Sequence, residues 1–519
     1  MKIGVAAELT PEIIQKATKA GIQQLVFHKV HAAVALSELK NFQLHDSSKL
    51  SVEAKNYAYQ SIEKRLAACI KFVPDLFYYR GYNLQLAIQK DLYWSLIIDN
   101  LNAYECTQIA DKECQIFYLD YKQRKWFHYL KFFVKFFKKS RLDFYIDSEL
   151  KVNQMLAVRM NSLSALNFFG NLLPTLGENN FFCFQSEPEF NDIKWQEQLH
   201  KKGIKTIFFR LKKKFSFRTN LRYFQFLFRN KIEFLNLLID IHTKQINLVS
   251  CYESLGQKGV KGFLLNAGEN EGEGVVAGLV AHQYGIRASN FMNGTKAKDP
   301  INQYTSFQTW FMHDEAMQRM LLSFSNQNKE NMPVVGHLLM DNALAHQYSG
   351  TLDDWKNEME HKKVIALFSS IIYNKERSDV AEFLVTFLES HPDVIVLVRR
   401  HPSEKQNLIY RHSRIFELPD FKEKSGHALF DLLLKSDVAI SFGSTVSLQA
   451  SWFGIPSITF EYNSQSLLLY VDQIKVHHTA SIPDLALFLE AALTKEKHKR
   501  ATRTNTQTVA QKMKEILLN

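Results

Sequence analysis

The pattern of apolar and polar positions predicts an α/β protein. Short runs of β-branched and apolar residues, bounded by turn signals, are typical of parallel strands covered on both faces. Val394–Arg399 and Val438–Ser441 are two such runs, and the second passes through a Gly-Ser-Thr turn into a helical stretch that includes Trp452. Val52–Phe72 and Tyr78–Asn102 have helical periodicity. Strands that alternate with helices predict parallel sheets with right-handed crossovers.

This alternation divides the 519 residues into four sections. We expect an N-terminal α/β accessory domain at 1–120 and a basic aromatic linker helix at 121–149. A first Rossmann-like domain follows at 150–332, and a second at 333–519 that ends in an amphipathic helix. The chain is long enough for each of these domains to bury a hydrophobic core of its own.

Two strand ends in the last section carry groups that suit a phosphate. Arg399–Pro402 follows one strand and Gly443–Thr445 follows another, and ligands of open α/β sheets bind beyond the carboxyl ends of the strands. A small-residue turn that opens into a helix offers backbone amides and the positive end of the helix dipole. Arg400 has the planar donor fork that fits a phosphate. The alternatives are that Ser444 or Thr445 only caps its helix and that Arg400 pairs with Glu404 on the surface.

These motifs resemble those of bacterial surface-polysaccharide glycosyltransferases with the GT-B fold. Arg400-His401-Pro402 and Gly443-Ser444-Thr445 are similar to the HP and SS/ST motifs of capsular Kdo transferases and of sialyl- and polysialyltransferases. The resemblance covers residues 260–495 in pattern. It implies two Rossmann-like domains that face a cleft, with His401, Ser444 and Thr445 contacting the CMP part of a donor.

Further donor contacts are expected at the strand ends of the same domain. Besides His401, Ser444 and Thr445, the candidates are Ser369, Ser370, Arg400, Gly443 and Glu461. Glu461 follows a buried strand and is placed to accept hydrogen bonds from ribose hydroxyls.

A transferase also needs a base that takes the proton of the acceptor hydroxyl. Glu269, Glu271 and Glu273 crowd the glycine-rich loop at 268–274, and their mutual repulsion is expected to raise one pKa. We name Glu271 as the catalytic base and His282 as the alternative.

Two further expectations concern the acceptor and the cofactors. Asn293 stands where the resembling families often have an ionisable residue, so we assign it to the acceptor side. No Asp-any-Asp pair occurs in a suitable loop. We therefore expect no metal, and no cofactor besides the nucleotide-sugar co-substrate.

The net charge of +11 is concentrated in two segments. Lys122–Arg141 holds eight Lys and Arg residues and Lys201–Lys231 holds eleven, with no acid in either and aromatic residues between them. This pattern is typical of a helix in a membrane interface, although a core-packed helix with one wet face is the alternative. No nucleic-acid module accompanies the charge, and no signal peptide or spanning segment is evident. We predict a cytoplasmic protein peripherally bound to the inner membrane, without nucleic acid.

The expected function is that of a glycosyltransferase. It would move a sugar from a nucleotide-activated donor, with a CMP-sugar favoured, to a surface polysaccharide or lipid-linked glycan. A UDP- or GDP-sugar or a CDP-polyol fits the same fold. Two further alternatives are a sugar-nucleotide 2-epimerase and a non-catalytic scaffold of a polysaccharide assembly complex. The N-terminal section and the basic aromatic helix favour the transferase over the epimerase, because an epimerase has no need of a membrane surface.

Overall fold

A computed structural model describes most of the chain. The described residues are 1–30, 34, 36–47, 52–110, 114–119, 140–146, 152–161, 163–186, 197, 199–207, 209–215, 232–292, 299–369, 374–401, 412–419, 427–462, 476–494 and 507–519. They contain three parallel sheets and two short antiparallel strand pairs.

The strands are β1 (Lys2–Leu9), β2 (Gln24–Val30), β3 (Gln43–Asp46), β4 (Tyr78–Tyr79), β5 (Tyr82–Asn83), β6 (Gln115–Tyr118), β7 (Ser140–Ile146), β8 (Leu156–Arg159), β9 (Phe181–Phe184), β10 (Thr206–Ile207), β11 (Phe209–Phe215), β12 (Gly262–Asn266), β13 (Arg287–Phe291), β14 (Thr309–Phe311), β15 (Lys363–Phe368), β16 (Val394–Arg399), β17 (Ile415–Glu417), β18 (Val438–Ser441), β19 (Ser457–Phe460) and β20 (His477–Thr479). The helices are α1 (Pro11–Lys19), α2 (Leu36–Leu39), α3 (Val52–Phe72), α4 (Gln85–Ile109), α5 (Leu163–Phe168), α6 (Leu172–Leu176), α7 (Ile232–Gln257), α8 (Gly272–Tyr284), α9 (Glu315–Leu322), α10 (Leu338–Ala345), α11 (Lys356–Met359), α12 (Asn374–Ser390), α13 (His427–Lys435), α14 (Val446–Trp452), α15 (Ile482–Thr494) and α16 (Val509–Leu518).

The first Rossmann-like domain is built on a six-stranded parallel sheet with the order β10-β9-β8-β12-β13-β14. Strands β9 and β12 are buried along their whole length, as expected where helices cover both faces. Strand β12 lies between β8 and β13. The glycine-rich loop at 268–274 therefore leaves the sheet at the middle of its carboxyl edge.

The second Rossmann-like domain has a six-stranded parallel sheet with the order β17-β16-β15-β18-β19-β20. Strands β16 and β18 have the bounds that the sequence predicted. The two strand ends with the phosphate-compatible motifs are separated in the sheet by β15 alone. The predicted fold class, two Rossmann-like domains with an additional N-terminal α/β section, is confirmed.

The N-terminal section contains a four-stranded parallel sheet, in the order β3-β2-β1-β6. Its long helices α3 and α4 also belong to the core of the first Rossmann-like domain. Leu92 and Tyr93 of α4 share one buried cluster with Tyr252 and Phe263. The predicted boundary at residue 120 stays a prediction, but apolar packing crosses it.

The basic segments are described only in part. Strand β7 pairs antiparallel with β11, and residue Asp143 lies opposite Lys212 in this register. The predicted linker helix at 121–149 is therefore wrong for 140–146, because a distant strand supplies a partner that helical periodicity cannot show. The aromatic stretch 126–139 and residues 216–231 lie outside the described residues, so membrane association stays a prediction. Within the described ranges, no helix has the length and hydrophobicity to span a membrane.

The C-terminal helix α16 crosses back to the first domain. Thr508 accepts a hydrogen bond from the amide of Gln511, whose side chain bonds the Thr508 amide, so a capping box starts the helix. Met513 is fully buried in one cluster with Phe169 and Leu172 of the first domain. The polypeptide thus passes between the two domains twice, through α10 and α16.

Candidate functional site

The loop after strand β12 is held by its own sheet. Ala267 has a positive φ of 57°, and the next amide, of Gly268, donates to Asn290 Oδ1 at 2.9 Å. Asn290 Nδ2 donates to Glu269 Oε2 at 2.7 Å. Both Glu269 and Asn290 are fully buried. A Cβ atom at Gly274 would overlap the Gly268 carbonyl oxygen, so the loop closes on itself only with glycine there.

Arg159 joins two carboxylates of this loop. Its Nη1 lies 2.6 Å from Glu273 Oε2 and 2.9 Å from Glu271 Oε2, and its Nη2 donates to the Asn266 carbonyl. Tyr252 OH donates to Glu273 Oε1 at 2.7 Å. The Arg159 side chain stands at the carboxyl end of β8, the strand next to β12.

The two carboxylates differ in exposure. The Glu273 side chain is 1% exposed, whereas that of Glu271 is 44% exposed and carries its acid to the surface of the loop. The Arg159 side chain is 8% exposed. Glu273 is thus the buried counter-ion, and Glu271 can reach a ligand.

Their pKa values move in opposite directions. Burial raises the pKa of Glu271, Arg159 opposes this shift, and the nearby charge of Glu273 adds to it. Burial alone would also raise the pKa of Glu273, but Arg159 and the hydroxyls of Ser186 and Tyr252 outweigh it and lower that pKa. A carboxyl with a raised pKa is suited to proton transfer near neutral pH.

The Gly-Ser-Thr turn of the second domain is braced by hydroxyls. Gly443 has a φ of 56°, and its amide donates to Thr459 Oγ1 at 3.1 Å. Ser444 Oγ accepts from the Val446 amide at 3.3 Å, which is the local capping that the sequence left open. Because it accepts there, the hydroxyl of Ser444 retains a proton for a further acceptor. Thr445 is the N-cap residue, without a side-chain capping bond.

The remaining predicted donor contacts are spread over the same sheet edge. Ser369 is buried beside Arg377 Nη1, at 3.4 Å. Arg400 Nε pairs with Glu417 on the neighbouring strand β17, and His401 is exposed. Glu461 follows β19 directly and is fully buried.

The structure does not bring all predicted residues together. His282 is exposed in the last turn of α8, about 15 Å along the helix from Glu271 at its start, so the alternative base is not at the loop. Ser370 and Asn293 lie outside the described residues. Sequence reasoning missed Arg159 and Tyr252, and the only local signal for Arg159 was an arginine that ends an apolar strand.

The rings of two histidines and one tryptophan lie between the domains. The His337 ring centroid lies 4.3 Å from that of His313, which follows β14, and 5.1 Å from that of Trp452 in α14. These tilted ring contacts join the carboxyl side of the first sheet to the second domain. Within the described ranges, no group of three or more His, Cys, Asp and Glu side chains could hold a metal ion.

Comparisons with known proteins give structural similarity only. Neither family models nor curated proteins match the sequence. The UDP-GlcNAc 2-epimerase of Methanocaldococcus jannaschii is 13% identical, with a TM-score of 0.47, over 70% of this chain and 99% of that one. Its complex with UDP-GlcNAc and UDP has the same identity and coverage and a TM-score of 0.46. The Rickettsia bellii enzyme of the same name is 12% identical, with a TM-score of 0.44, over 71% and 94%.

These matches correct the main functional prediction. The glycosyltransferase prediction is contradicted, because the three structures named above are UDP-GlcNAc 2-epimerases, and a sugar-nucleotide 2-epimerase was the alternative to it. The specific resemblance to capsular Kdo and sialyltransferases is likewise not supported. In the site itself, the crowded acids do not act alone: Glu273 is the buried counter-ion of Arg159.

Proposed function

We propose that this protein is a sugar-nucleotide 2-epimerase, which inverts carbon C2 of a nucleotide-linked sugar. The observation that carries the proposal is the Arg159 cluster, in which Glu271 is half-exposed, has a raised pKa and stands at the carboxyl edge of the first sheet. Inversion at one carbon needs a proton-transfer group beside the sugar, but no acceptor substrate. The exposed acid of the loop supplies such a group.

The chemistry of C2 defines what Glu271 would do. No carbonyl is adjacent to C2, so its hydrogen becomes removable as a proton only when the C1–O bond to the diphosphate breaks. The electron pair of the C2–H bond then forms a C1=C2 bond, and the C1–O pair leaves with the nucleoside diphosphate. Addition of a proton from solvent water to the opposite face of C2, with re-addition of the diphosphate at C1, gives the 2-epimer. Glu271 carboxylate takes the first proton, and no oxidant is consumed.

Arg159 has two roles in this proposal. It keeps Glu273 ionised within the core, and it holds the Glu271 side chain through the 2.9 Å contact. Because Arg159 lowers the Glu271 pKa against burial, it limits how far that pKa rises. A base for proton removal must be ionised at the working pH, so this limit favours the reactive form.

The nucleotide is assigned to the second domain. The proposed contacts are Ser369, Ser370, Arg400, His401, Gly443, Ser444, Thr445 and Glu461. Ser444 supports this assignment, since its Oγ accepts from Val446 and can still donate to a phosphate. Asn293 follows β13 in sequence and is proposed on the sugar side.

Solvent deuterium at C2 tests the proposal directly. The purified protein is incubated in D2O with UDP-GlcNAc, other UDP-sugars and GDP-sugars, and C2 deuteration and the 2-epimer are followed by NMR. We expect deuteration with at least one substrate, and a loss of about 100-fold or more in Glu271→Gln. Glu315→Gln, on an exposed acid of α9, is the control and should react like the wild type.

Binding of the same nucleotides is measured in parallel. Ser444→Ala should weaken nucleotide binding, whereas Glu271→Gln should retain it. Nucleotide binding without C2 deuteration for every sugar tested would refute the epimerase and favour a non-catalytic scaffold. If Glu271→Gln deuterates C2 at the wild-type rate, the proposed role of Glu271 is refuted.

A further inference from the structure

We infer that helices α3 and α4 of the N-terminal section position the glycine-rich loop at 268–274, which borders the first-domain site, and Asp299 beside it. The inference rests on the proposed function only in naming the glycine-rich loop as a site loop. The positioning residues are Lys55, Lys90, Asp91, Tyr93 and Trp94.

Helix α4 holds the backbone of the glycine-rich loop at three successive points. Lys90 Nζ, almost fully buried, donates to the Glu269 carbonyl at 2.7 Å. Trp94 Nε1 donates to the Asn270 carbonyl at 2.7 Å. The donors are four residues apart, on one face of α4. These bonds fix the residues that immediately precede Glu271.

Asp91 supplies the third point. Its Oδ1 accepts from the Gly272 amide at 2.8 Å, where α8 begins. Glu271, the N-cap residue of α8, makes no side-chain capping bond, so a carboxylate from another helix satisfies this first-turn amide. Gln245 Nε2 fixes the other oxygen of Asp91 at 2.7 Å.

The approach of the two helices requires glycine. A Cβ atom at Gly272 would overlap the Ala87 carbonyl oxygen of α4. Lys90, Asp91 and Trp94 therefore meet a loop that is held at backbone contact distance. Glu271 lies between two residues, Asn270 and Gly272, that are both bonded to α4.

Asp299, which begins the short turn at Pro300–Asn302, is held by both helices. Lys55 Nζ of α3 lies 3.5 Å from Asp299 Oδ2, with both side chains largely buried. The charge of Asp299 adds to burial in raising the pKa of Tyr93 in α4, and Asp299 Oδ1 accepts from the Ile301 amide at 3.1 Å. One pair of helices thus contacts both the loop that follows β12 and Asp299.

Four variants and one control test the inference. Asp91→Ala removes the acceptor, Asp91→Asn keeps a neutral one, Lys90→Met removes the buried donor and Trp94→Phe removes the indole N–H alone. Gln108→Ala, in the exposed last turn of α4, is the control. Amide hydrogen exchange of peptides from 268–274 is measured together with kcat, KM and nucleotide affinity.

We expect amide exchange of the loop to be about tenfold faster in Asp91→Ala, with partial rescue in Asp91→Asn. The value of kcat should fall by about 10- to 100-fold with nucleotide affinity unchanged, because Glu271 is misplaced while the second domain is intact. Unchanged loop exchange in both Asp91→Ala and Lys90→Met would overturn the inference. An equal rise across the whole first domain would do the same, since it would show loss of stability rather than of position.

The two proposals fail in different ways. If the wild-type protein deuterates no sugar nucleotide, the epimerase is refuted, while loop exchange in Asp91→Ala still decides whether α4 holds the loop. If the wild type is active and Asp91→Ala, Lys90→Met and Trp94→Phe all keep wild-type kcat, the positioning role is refuted and the epimerase stands.

Discussion

Removing Arg159 should destabilise the first domain strongly. Arg159→Met leaves Glu273, with a side chain 1% exposed, without its cationic partner. Breaking one side of a buried ion pair costs about 3–5 kcal/mol. For a domain of this size, each kcal/mol lowers the thermal midpoint by about 2–4 °C, so we expect a drop of roughly 6–20 °C.

The pH dependence of stability gives a sharper test, because the contribution of Glu273 should change with pH in opposite directions in the wild type and in Arg159→Met. In the wild type the Glu273 pKa lies below its ordinary value of 4.5, so its contribution is present above that pH and is lost as the pH falls. In Arg159→Met only burial and the remaining hydrogen-bond donors act on Glu273, and we expect its pKa to be raised. The variant should then lose stability as the pH rises above about 4.5.

The assay is thermal unfolding followed by circular dichroism from about pH 3 to pH 8, so that the range includes the pH values below 4.5 at which the wild-type contribution is lost. Arg319→Met is the matched control, since it breaks an exposed Arg–Glu pair worth under about 1 kcal/mol. Arg159→Met/Glu273→Gln should recover more than half of the lost stability, because no charge remains buried. A thermal midpoint within 3 °C of the wild type, or a loss independent of pH, would refute the electrostatic reasoning.

Three further predictions concern stability. Asp431 accepts hydrogen bonds from His346, Ser349 and Thr351, and these bonds outweigh burial and lower the pKa of Asp431 to about 2. Asp431→Ala should therefore cost about 2–4 kcal/mol of stability at pH 7, and less as the pH falls from about 4 towards 2. Thermal midpoints measured at pH 7 and near pH 2 would show this difference. Gly272→Ala should lower the midpoint and speed loop exchange, and a midpoint equal to the wild type would contradict the overlap seen there. Met513→Ala should cost about 2–5 kcal/mol and speed proteolysis of α16, whereas unchanged cleavage would contradict its burial.

The regular elements of the second domain follow closely from the sequence. Strands Val394–Arg399 and Val438–Ser441 have the predicted bounds, since buried apolar runs end at clear turn residues. Tyr78–Asn102 shows the limit of periodicity. Two short strands precede its helix, which begins only at Gln85 and ends at Ile109.

The candidate site was predictable only in part. The glutamates of the loop stand out in the sequence, but their roles depend on Arg159, more than a hundred positions away. Lys90 and Asp91 appear in sequence as ordinary charged residues of a helix, and their partners lie about 180 residues further on. Such contacts are set by how distant elements pack, which one sequence without structural context does not reveal.

The return of helix α16 to the first domain has a consequence for synthesis on the ribosome. The apolar cluster around Phe169 and Leu172 includes Met513, more than three hundred residues later. A nascent chain can form the sheet of the first domain early, but that part of its core stays open until α16 has been translated. During this interval the chain exposes an apolar surface of the kind that chaperones bind. Translation that stops within the second domain would therefore leave both domains incomplete.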